Sequence, residues 1–229
     1  MKLNNIKHVF FDLDHTLWDF DRNSELTFQK IFELNEVGVE IKKFIEIYSP
    51  INLQYWKLYR EEKISKEDLR YRRLKDAFDG LNHNIHDDTI DKLSVDYIEF
   101  LTTYNHLLDG TVDILKYLSK DYQLHIITNG FEEAQLRKMT NSQITSYFKT
   151  ITNSEMVGVK KPNPKIFEFA LEKAEANKEE SVMIGDNFEA DIEGALNVGI
   201  DAIFYNYHLD SPREEIKTVH SLLEIKQYL

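Results

Sequence analysis

Two aspartates, Asp12 and Asp14, stand two residues apart directly after the apolar run His8–Phe11. Two carboxylates so close together repel each other unless a cation compensates their charge. The spacing therefore indicates a site for a cation near this point of the chain. The alternative interpretation of the pair alone is a solvated turn, with Asp14 as a helix N-cap.

Two further polar clusters contain groups that suit an anion. The segment Thr128-Asn129-Gly130 follows another apolar run, and a hydroxyl beside glycine-containing backbone can offer donors to an anion. Lys160 and Lys161 precede a proline that fixes the backbone direction, so a lysine held there can act as a positioned charge for phosphate. Taken in isolation, a simple turn and a solvated basic loop are the better interpretations of these segments.

Asp186 and Asp191 form the last cluster, and they follow the apolar run Val182–Ile184. Carboxylates five residues apart, across a turn from strand to helix, can converge on one hard cation with oxygen ligands. A helix N-cap at Asp186 is the alternative interpretation.

The apolar runs beside these clusters are short and alternate with helical patterns. That alternation predicts an α/β fold, a Rossmann-like parallel sheet with helices on both faces. In such sheets ligands bind outside the carboxyl ends of the strands, where the clusters would meet. The predicted strands are His8–Phe11, Leu124–Ile127, Phe148–Ile151, Val182–Ile184 and Ala202–Tyr205. The predicted helices of this part are Val112–Leu118, Ile166–Ala174 and Ile192–Val198.

The first half of the chain has a different character. Only Gly38 and Gly80 precede residue 100, whereas the remainder has six glycines. Long helices avoid glycine, and apolar residues recur at helical spacing between about 22 and 105. We predict about four helices there, with Pro50 in the first turn of a new helix. The predicted domains are residues 1–17 with 106–229 for the sheet and residues 18–105 for a helical insert.

Taken together and in this order, the four clusters resemble the motif set of the haloacid dehalogenase-like superfamily of phosphohydrolases, over essentially the whole chain. The resemblance implies an inserted four-helix cap domain, a Mg²⁺ cofactor and a small-molecule phosphomonoester substrate. Residues 11–21, 127–131 and 157–162 are similar, more narrowly, to the pyrimidine 5′-nucleotidase branch.

The resemblance also implies a role for each motif residue. Asp12 would be the nucleophile that becomes an aspartyl phosphate. Asp14 would protonate the leaving alkoxide and then deprotonate the attacking water. Thr128 and the Asn129 backbone amide would bind phosphoryl oxygens, and Lys161 rather than its neighbour would be the motif lysine.

The metal site follows from the same resemblance. Asp12, the Asp14 main-chain carbonyl and Asp186 would bind Mg²⁺. Asp191 completes the implied metal set, and it would support the site through water or through the motif lysine.

The substrate is expected to be a nucleoside 5′-monophosphate, with pyrimidines preferred. Trp18, Phe20 and Phe131 lie near the presumed mouth of the site, and an aromatic face there could stack on a base. Packing of these rings in a hinge is an equal alternative. Of the three rings, only that of Trp18 is assigned to substrate binding. There are two alternative functions. One is a phosphatase of sugar phosphates or other small metabolites, and the other is a sensor or scaffold that binds phosphate without hydrolysing a substrate.

Composition excludes several other classes. The 229 residues have 28 Lys and Arg against 40 Asp and Glu, a net charge of −12 that argues against a nucleic-acid polymer as partner. No apolar run approaches the roughly 20 residues of a membrane span, so no membrane partner is expected. Cysteine is absent, and no signal-peptide pattern opens the sequence, so we expect a cytoplasmic protein. It is expected to be a monomer or a homodimer.

Overall fold

The computed structural model describes residues 2–207, 209 and 215–229. The chain divides into two compact units, residues 1–20 with 105–229 and residues 21–104. We call the first the sheet unit and the second the helical unit.

The sheet unit is built on six parallel strands, and they are β1 His8–Phe11, β2 Gln123–Thr128, β3 Phe148–Asn153, β4 Ser181–Gly185, β5 Asp201–Tyr205 and β6 Lys217–Val219. Their order in the sheet is β3-β2-β1-β4-β5-β6. The parallel α/β core predicted from the sequence is therefore confirmed. Strand β6 was not predicted, because its three residues at the sheet edge contain no apolar run.

The strand order reverses beside β1, which pairs with β2 on one side and with β4 on the other. Phe11 lies in register with Ile126 of β2 and with Ile184 of β4. All four residues of β1 and all five of β4 are buried, as expected for central strands covered on both faces. The residues that follow these strands therefore emerge together at the point where open α/β sheets bind their ligands.

Helices and turns connect the strands. The helices of this unit are α5 Thr111–Leu118, α6 Glu132–Asn141, α7 Ser154–Val157, α8 Pro164–Ala174 and α9 Gly194–Asn197. The apolar face of α8 packs with Phe10, Met183 and Ile192 in one buried cluster. The segment predicted as the helix Ile192–Val198 is divided between a π-helical turn, Phe188–Glu193, and α9. Short 3₁₀ turns are Thr145–Tyr147, Lys178–Glu180 and Leu222–Gln227.

Four helices account for the helical unit, and they are α1 Phe20–Leu34, α2 Ile41–Arg60, α3 Lys66–Gly80 and α4 Asp87–Leu101. Pro50 lies inside α2, so the expectation that it starts a new helix is wrong. Phe44 and Tyr48 before the proline and Tyr59 after it are all buried. Packing of this face outweighs the backbone hydrogen bond that proline cannot donate. No helix among the described residues is both long and apolar enough to cross a membrane.

The interior of the helical unit is a cluster of aromatic rings that encloses one arginine. The Arg73 guanidinium carbon lies 4.9 Å from the ring centre of Tyr97 and 5.9 Å from that of Tyr48. Arg73 Nη1 also donates to Asn52 Oδ1 at 2.9 Å. The surrounding rings in mutual contact are Phe28, Phe32, Phe44, Tyr48, Phe78 and Tyr97.

The chain leaves and re-enters the sheet unit through two adjacent segments. Asp19 N donates to His106 O at 3.1 Å, and Leu108 N donates to Leu17 O at 3.0 Å. Trp18 forms an antiparallel bridge between these two bonds. Backbone hydrogen bonds thus hold the two segments side by side.

Candidate active site

The aspartate that follows β1 forms an ion pair with the lysine predicted as the motif lysine. Lys161 Nζ lies 2.7 Å from Asp12 Oδ1 and 2.7 Å from Asp191 Oδ1. It also donates to the Ile127 main-chain oxygen at 2.6 Å. The Lys161 side chain is only 2% exposed, so its charge is compensated by these oxygens and not by bulk water.

Asn129 fixes the segment that carries this lysine. Its Nδ2 donates to Lys161 O at 3.0 Å, and its Oδ1 accepts from Lys161 N at 2.8 Å. The side chain of Asn129 therefore pairs with the lysine's own backbone, and its backbone amide is separate from this pair. These two hydrogen bonds join the residue that follows β2 to the loop before α8.

Asp186 follows β4 and is held by Thr16, a residue that the sequence analysis did not single out. Thr16 Oγ1 donates to Asp186 Oδ1 at 3.0 Å and accepts from Asp186 N at 3.1 Å. Asp191 lies in the π-helical turn, and its Oδ2 accepts at 3.0 Å from N of Asn187, the residue before that turn. A Cβ on Gly185 would lie 2.2 Å from Asp191 Oδ2, so this position requires glycine for the carboxylate to fit.

Crowding and burial shift the pKa values of this group. Burial raises the pKa of Asp12 to about 7, because the opposing charge of Lys161 only partly offsets burial and the nearby acids. Burial, followed by the charges of Asp12 and Asp191, raises the pKa of Asp186 well above its usual range. Burial alone would lower the pKa of Lys161, but Asp12 and Asp191 outweigh it and raise that pKa.

The same carboxylates suit a hard divalent cation. Oxygen atoms of Asp12, Asp186 and Asp191 all lie within 4.8 Å of one another. All the side-chain donors are carboxylate oxygens, which are the ligands that Mg²⁺ prefers. Burial and, after it, the neighbouring acids raise the pKa values of Asp12 and Asp186, and a cation bound between these carboxylates would offset both. The donor set therefore fits Mg²⁺.

Asp14 is held by two side chains of α6. Lys138 Nζ donates to Asp14 Oδ1 at 2.7 Å, and Gln135 Nε2 donates to Asp14 Oδ2 at 3.0 Å. The Asp14 side chain is 20% exposed, whereas that of Lys138 is 3% exposed. Both carboxylate oxygens thus have a donor, and the group still reaches solvent.

Thr128, at the end of β2, belongs to the same network. Its Oγ1 accepts from Gln135 Nε2 at 2.7 Å and from Gly130 N at 3.1 Å. Because a hydroxyl has two acceptor positions and one proton, these bonds leave the Thr128 proton for a further acceptor. This arrangement suits an anion, as the sequence suggested.

Trp18 was expected to present its ring to the substrate, but the ring is buried. Its side chain is fully buried, and Phe20 and Phe131 are only 9% and 4% exposed. The Lys138 ammonium lies 4.4 Å from the centre of the Trp18 ring and 5.5 Å from that of Phe20. The structure therefore corrects the assignment of Trp18 to substrate binding, because the ring packs under a buried lysine and leaves no face open to a base.

Sequence reasoning missed Thr16, Gln135 and Lys138. The last two lie three residues apart on a helix that the apolar pattern did not predict, and both are buried on the same helix face. A glutamine and a lysine at positions where a helix should bury apolar residues are the signal that could have identified them. For Thr16, the signal is a hydroxyl two residues after the acid pair.

The chain is similar to known proteins over most of its length. Residues 6–199 match the model of the haloacid dehalogenase-like hydrolase family. The pyrimidine 5′-nucleotidase PynA of Streptococcus pneumoniae is 34% identical, with 95% of this chain and 94% of that protein covered. The pyrimidine 5′-nucleotidase YjjG of Escherichia coli is 32% identical, with 96% of each chain covered.

A solved structure gives the same result for the fold. The HAD-hydrolase YfnB from Bacillus subtilis, in a crystal structure bound to magnesium, superimposes with a TM-score of 0.87 at 25% identity. The match covers 97% of each chain. The protein is therefore an enzyme that belongs to the haloacid dehalogenase-like hydrolase family.

Proposed function

We propose that this enzyme is a Mg²⁺-dependent phosphomonoesterase that works through an aspartyl phosphate and prefers pyrimidine nucleoside 5′-monophosphates. The observation that carries the proposal is the arrangement around Asp12. Its carboxylate is paired with Lys161 beside two further acids, and the separately held carboxylate of Asp14 lies two residues away. One carboxylate can thus attack phosphorus while the other transfers protons.

In the first half-reaction, a carboxylate oxygen of Asp12 attacks phosphorus and the ester P–O bond breaks. The leaving alkoxide takes the proton of the Asp14 carboxyl group, so the alcohol and an aspartyl phosphate are formed. An alkoxide is a poor leaving group, which is why an acid beside the nucleophile is needed.

In the second half-reaction, water attacks phosphorus of the aspartyl phosphate. The Asp14 carboxylate takes a proton from this water, and the bond between phosphorus and the Asp12 oxygen breaks. Inorganic phosphate leaves, the Asp12 carboxylate is restored, and Asp14 is again protonated. The two steps together add one water molecule to the ester.

The remaining residues compensate charge and orient the phosphoryl group. Asp12, Asp186 and the Asp14 main-chain carbonyl would hold Mg²⁺, with Asp191 supporting them, and the bound ion would offset the repulsion between the nucleophile and the phosphate dianion. Lys161 supplies a fixed positive charge, and Thr128 with the Asn129 backbone amide donates to phosphoryl oxygens. Such positioned charges contribute most of the catalysis expected for phosphoryl transfer.

The preference for pyrimidine nucleotides rests on the two relatives named as pyrimidine 5′-nucleotidases. The strand-end residues engage only the phosphoryl group, so we place the selection of the leaving alcohol in the helical unit, acting as a cap domain. Because Trp18 is buried, the base is not expected to stack on this ring.

The test is kcat/KM for UMP, dUMP, dTMP, AMP and several sugar phosphates, with Mg²⁺ present. We expect a pyrimidine nucleotide to be the best substrate of the panel. A sugar phosphate that exceeds every nucleotide by about tenfold would remove the nucleotidase assignment and leave a phosphatase. No turnover of any phosphomonoester, combined with phosphate binding, would indicate a sensor instead.

A further inference from the structure

We propose that Gln135 and Lys138 are positioning residues for the reaction: they fix the Asp14 carboxylate in one orientation and direct the Thr128 proton toward the phosphoryl group. This inference rests on the proposed function, since it assigns a task to residues around the same reacting groups. Both residues lie on α6 and point into the sheet unit from one helix face.

The first observation is that the two side chains hold Asp14 from both oxygens. A carboxylate with one donor can rotate about its Cβ–Cγ bond, but a carboxylate with a donor on each oxygen is fixed in plane and direction. Lys138 Nζ at 2.7 Å and Gln135 Nε2 at 3.0 Å supply these donors. A proton donor in phosphoryl transfer gains most when its orientation is set before the substrate arrives.

The second observation is the environment of Lys138. Its side chain is 3% exposed, and Asp14 is the only carboxylate with which an ion pair is seen in the described residues. The ammonium also lies over the Trp18 ring, at 4.4 Å from the ring centre. A buried lysine needs such compensation, so its ammonium is confined between the ring and the carboxylate.

The third observation is that Gln135 joins the acid to the phosphate-binding hydroxyl. Its Nε2 donates to Asp14 Oδ2 and to Thr128 Oγ1, at 3.0 and 2.7 Å. With Gly130 N also donating to Thr128 Oγ1, the threonine can act only as a donor to a further group. A structural glutamine would satisfy its own amide, whereas the buried Oε1 of Gln135 has no partner among the described residues.

The backbone is shaped to admit this glutamine. A Cβ on Gly130 would lie 2.2 Å from Gln135 Nε2 and 2.4 Å from its Cδ. Any larger residue at 130 would therefore push the amide away from Thr128 and Asp14. Gly130 thus leaves the space that the Gln135 side chain needs to reach Thr128 and Asp14 from α6.

The experiment compares Lys138→Met and Lys138→Arg with a matched control, Arg137→Met, which changes an exposed residue of the same helix. We would measure kcat/KM with saturating Mg²⁺ for UMP, which has an alkoxide leaving group, and for p-nitrophenyl phosphate, which needs less help from an acid. We expect Lys138→Met to lose about 30- to 300-fold on UMP and less than about 5-fold on p-nitrophenyl phosphate. Lys138→Arg should recover most of the loss on UMP, and Arg137→Met should remain within about twofold of the wild type.

Gln135→Met provides a second variant that does not depend on the stability of the lysine variant. It removes a donor from both Asp14 and Thr128, so we expect a loss of about tenfold on p-nitrophenyl phosphate and a larger loss on UMP. Circular dichroism and thermal melting would identify a variant that has lost its fold. Folded Lys138→Met and Gln135→Met proteins that match the wild type, or that lose equally on both substrates, would overturn this inference and leave the proposed function intact. Absence of phosphomonoester turnover by the wild type would instead overturn the proposed function, and this inference with it.

Discussion

Lys161 in the sheet unit and Arg73 in the helical unit are both buried cations, yet their surroundings are opposite. Lys161 lies between the carboxylates of Asp12 and Asp191. Arg73 lies against the rings of Tyr48 and Tyr97, with one hydrogen bond to an asparagine and no carboxylate partner among the described residues. One cation is outnumbered by acids, and the other is held by aromatic faces.

The difference separates a reactive site from a packed interior. Burial and, after it, the neighbouring acids raise the pKa of Asp12 to about 7, although Lys161 opposes them. The carboxylates around Lys161 outnumber its single positive charge, so a divalent cation can neutralise the remainder. Rings around Arg73 stabilise its charge without creating such an imbalance. Changes in the first environment should therefore alter activity, and changes in the second should alter stability.

The largest expected effect is the loss of turnover in Asp12→Asn. An amide cannot act as the carboxylate nucleophile, so kcat/KM should fall by more than about 10³-fold. Removal of one charge from the acidic group should leave the melting temperature unchanged or raise it.

Asp113→Asn, an exposed change on α5, serves as the matched control and should keep wild-type activity. An Asp12→Asn protein with more than a tenth of wild-type kcat/KM would contradict the role of Asp12 as nucleophile.

Removal of the metal should have an effect of similar size on activity and a measurable effect on stability. Activity should disappear in EDTA and return with Mg²⁺. If Mg²⁺ binds the folded protein alone, a concentration of 100 times its Kd should stabilise the protein by about 2.7 kcal/mol.

Asp186→Asn should reduce the stabilisation by Mg²⁺, because it replaces a charged ligand with a neutral one. Full activity in excess EDTA, or equal stabilisation of both proteins by Mg²⁺, would be inconsistent with the proposed metal site.

Arg73→Ala tests the other half of the comparison. Loss of the contacts with Tyr48 and Tyr97 and of the bond to Asn52 should lower the free energy of unfolding by about 2–3 kcal/mol. Turnover of p-nitrophenyl phosphate at a temperature where the variant is folded should change by less than about threefold. Urea unfolding measures the change in the free energy of unfolding, and kcat for p-nitrophenyl phosphate measures the change in turnover.

Arg72→Ala is the control for this variant, because Arg72 lies on the same helix in an exposed ion pair with Asp68. It should change the free energy of unfolding by less than about 0.5 kcal/mol. A large loss of p-nitrophenyl phosphate turnover in folded Arg73→Ala would break the distinction between the two cations.

The smallest expected effect concerns a buried histidine pair at the other end of β1. His8 Nδ1 and His125 Nε2 lie 3.1 Å apart, and His125 Nδ1 lies 2.9 Å from Thr150 Oγ1. Burial, followed by the nearby His8, lowers the pKa of His125 to about 4 from an ordinary 6.5. Between these pH values the unfolded chain binds a proton that the folded protein does not, so stability falls as the pH falls.

Urea unfolding of the wild type and of His125→Gln, near pH 7 and near pH 4.5, measures this contribution. The glutamine variant should lose less stability on acidification, whereas His86→Gln, an exposed change, should behave as the wild type. Equal acid destabilisation of wild type and His125→Gln would show that His125 is not the group involved.

The sequence predicted the parts of the fold in which one signal dominates. Buried central strands such as β1 and β4 are continuous apolar runs, and these were identified. Helix α6 was missed because its buried face includes Gln135 and Lys138, which weakens the apolar periodicity. The break expected at Pro50 did not occur, because tertiary packing of α2 outweighs a local preference.

In the site too, some residues could be placed from the sequence, whereas others depend on tertiary packing. Asp12 and Asp186 directly follow the adjacent strands β1 and β4, so topology alone brings them near each other. Lys161 lies in the loop before α8, and the side chain of Asn129 holds its backbone there. Trp18 could not be placed from the sequence, because an aromatic residue beside a motif can face either a ligand or the interior. Its position depends on Lys138, which lies far away in the sequence and approaches the ring only in the folded chain.

The paired segments at the entry and exit of the helical unit have a consequence for the modularity of the chain. Because Leu17 and Asp19 are bonded to Leu108 and His106, the ends of the insert are joined whatever lies between them. The entropy of closing such a loop grows only slowly with its length, so the sheet unit can accept inserts of very different size at this position. Exchange of residues 21–104 for another domain, or for a short linker, is therefore a route to new substrate selectivity that leaves the strand-end chemistry in place.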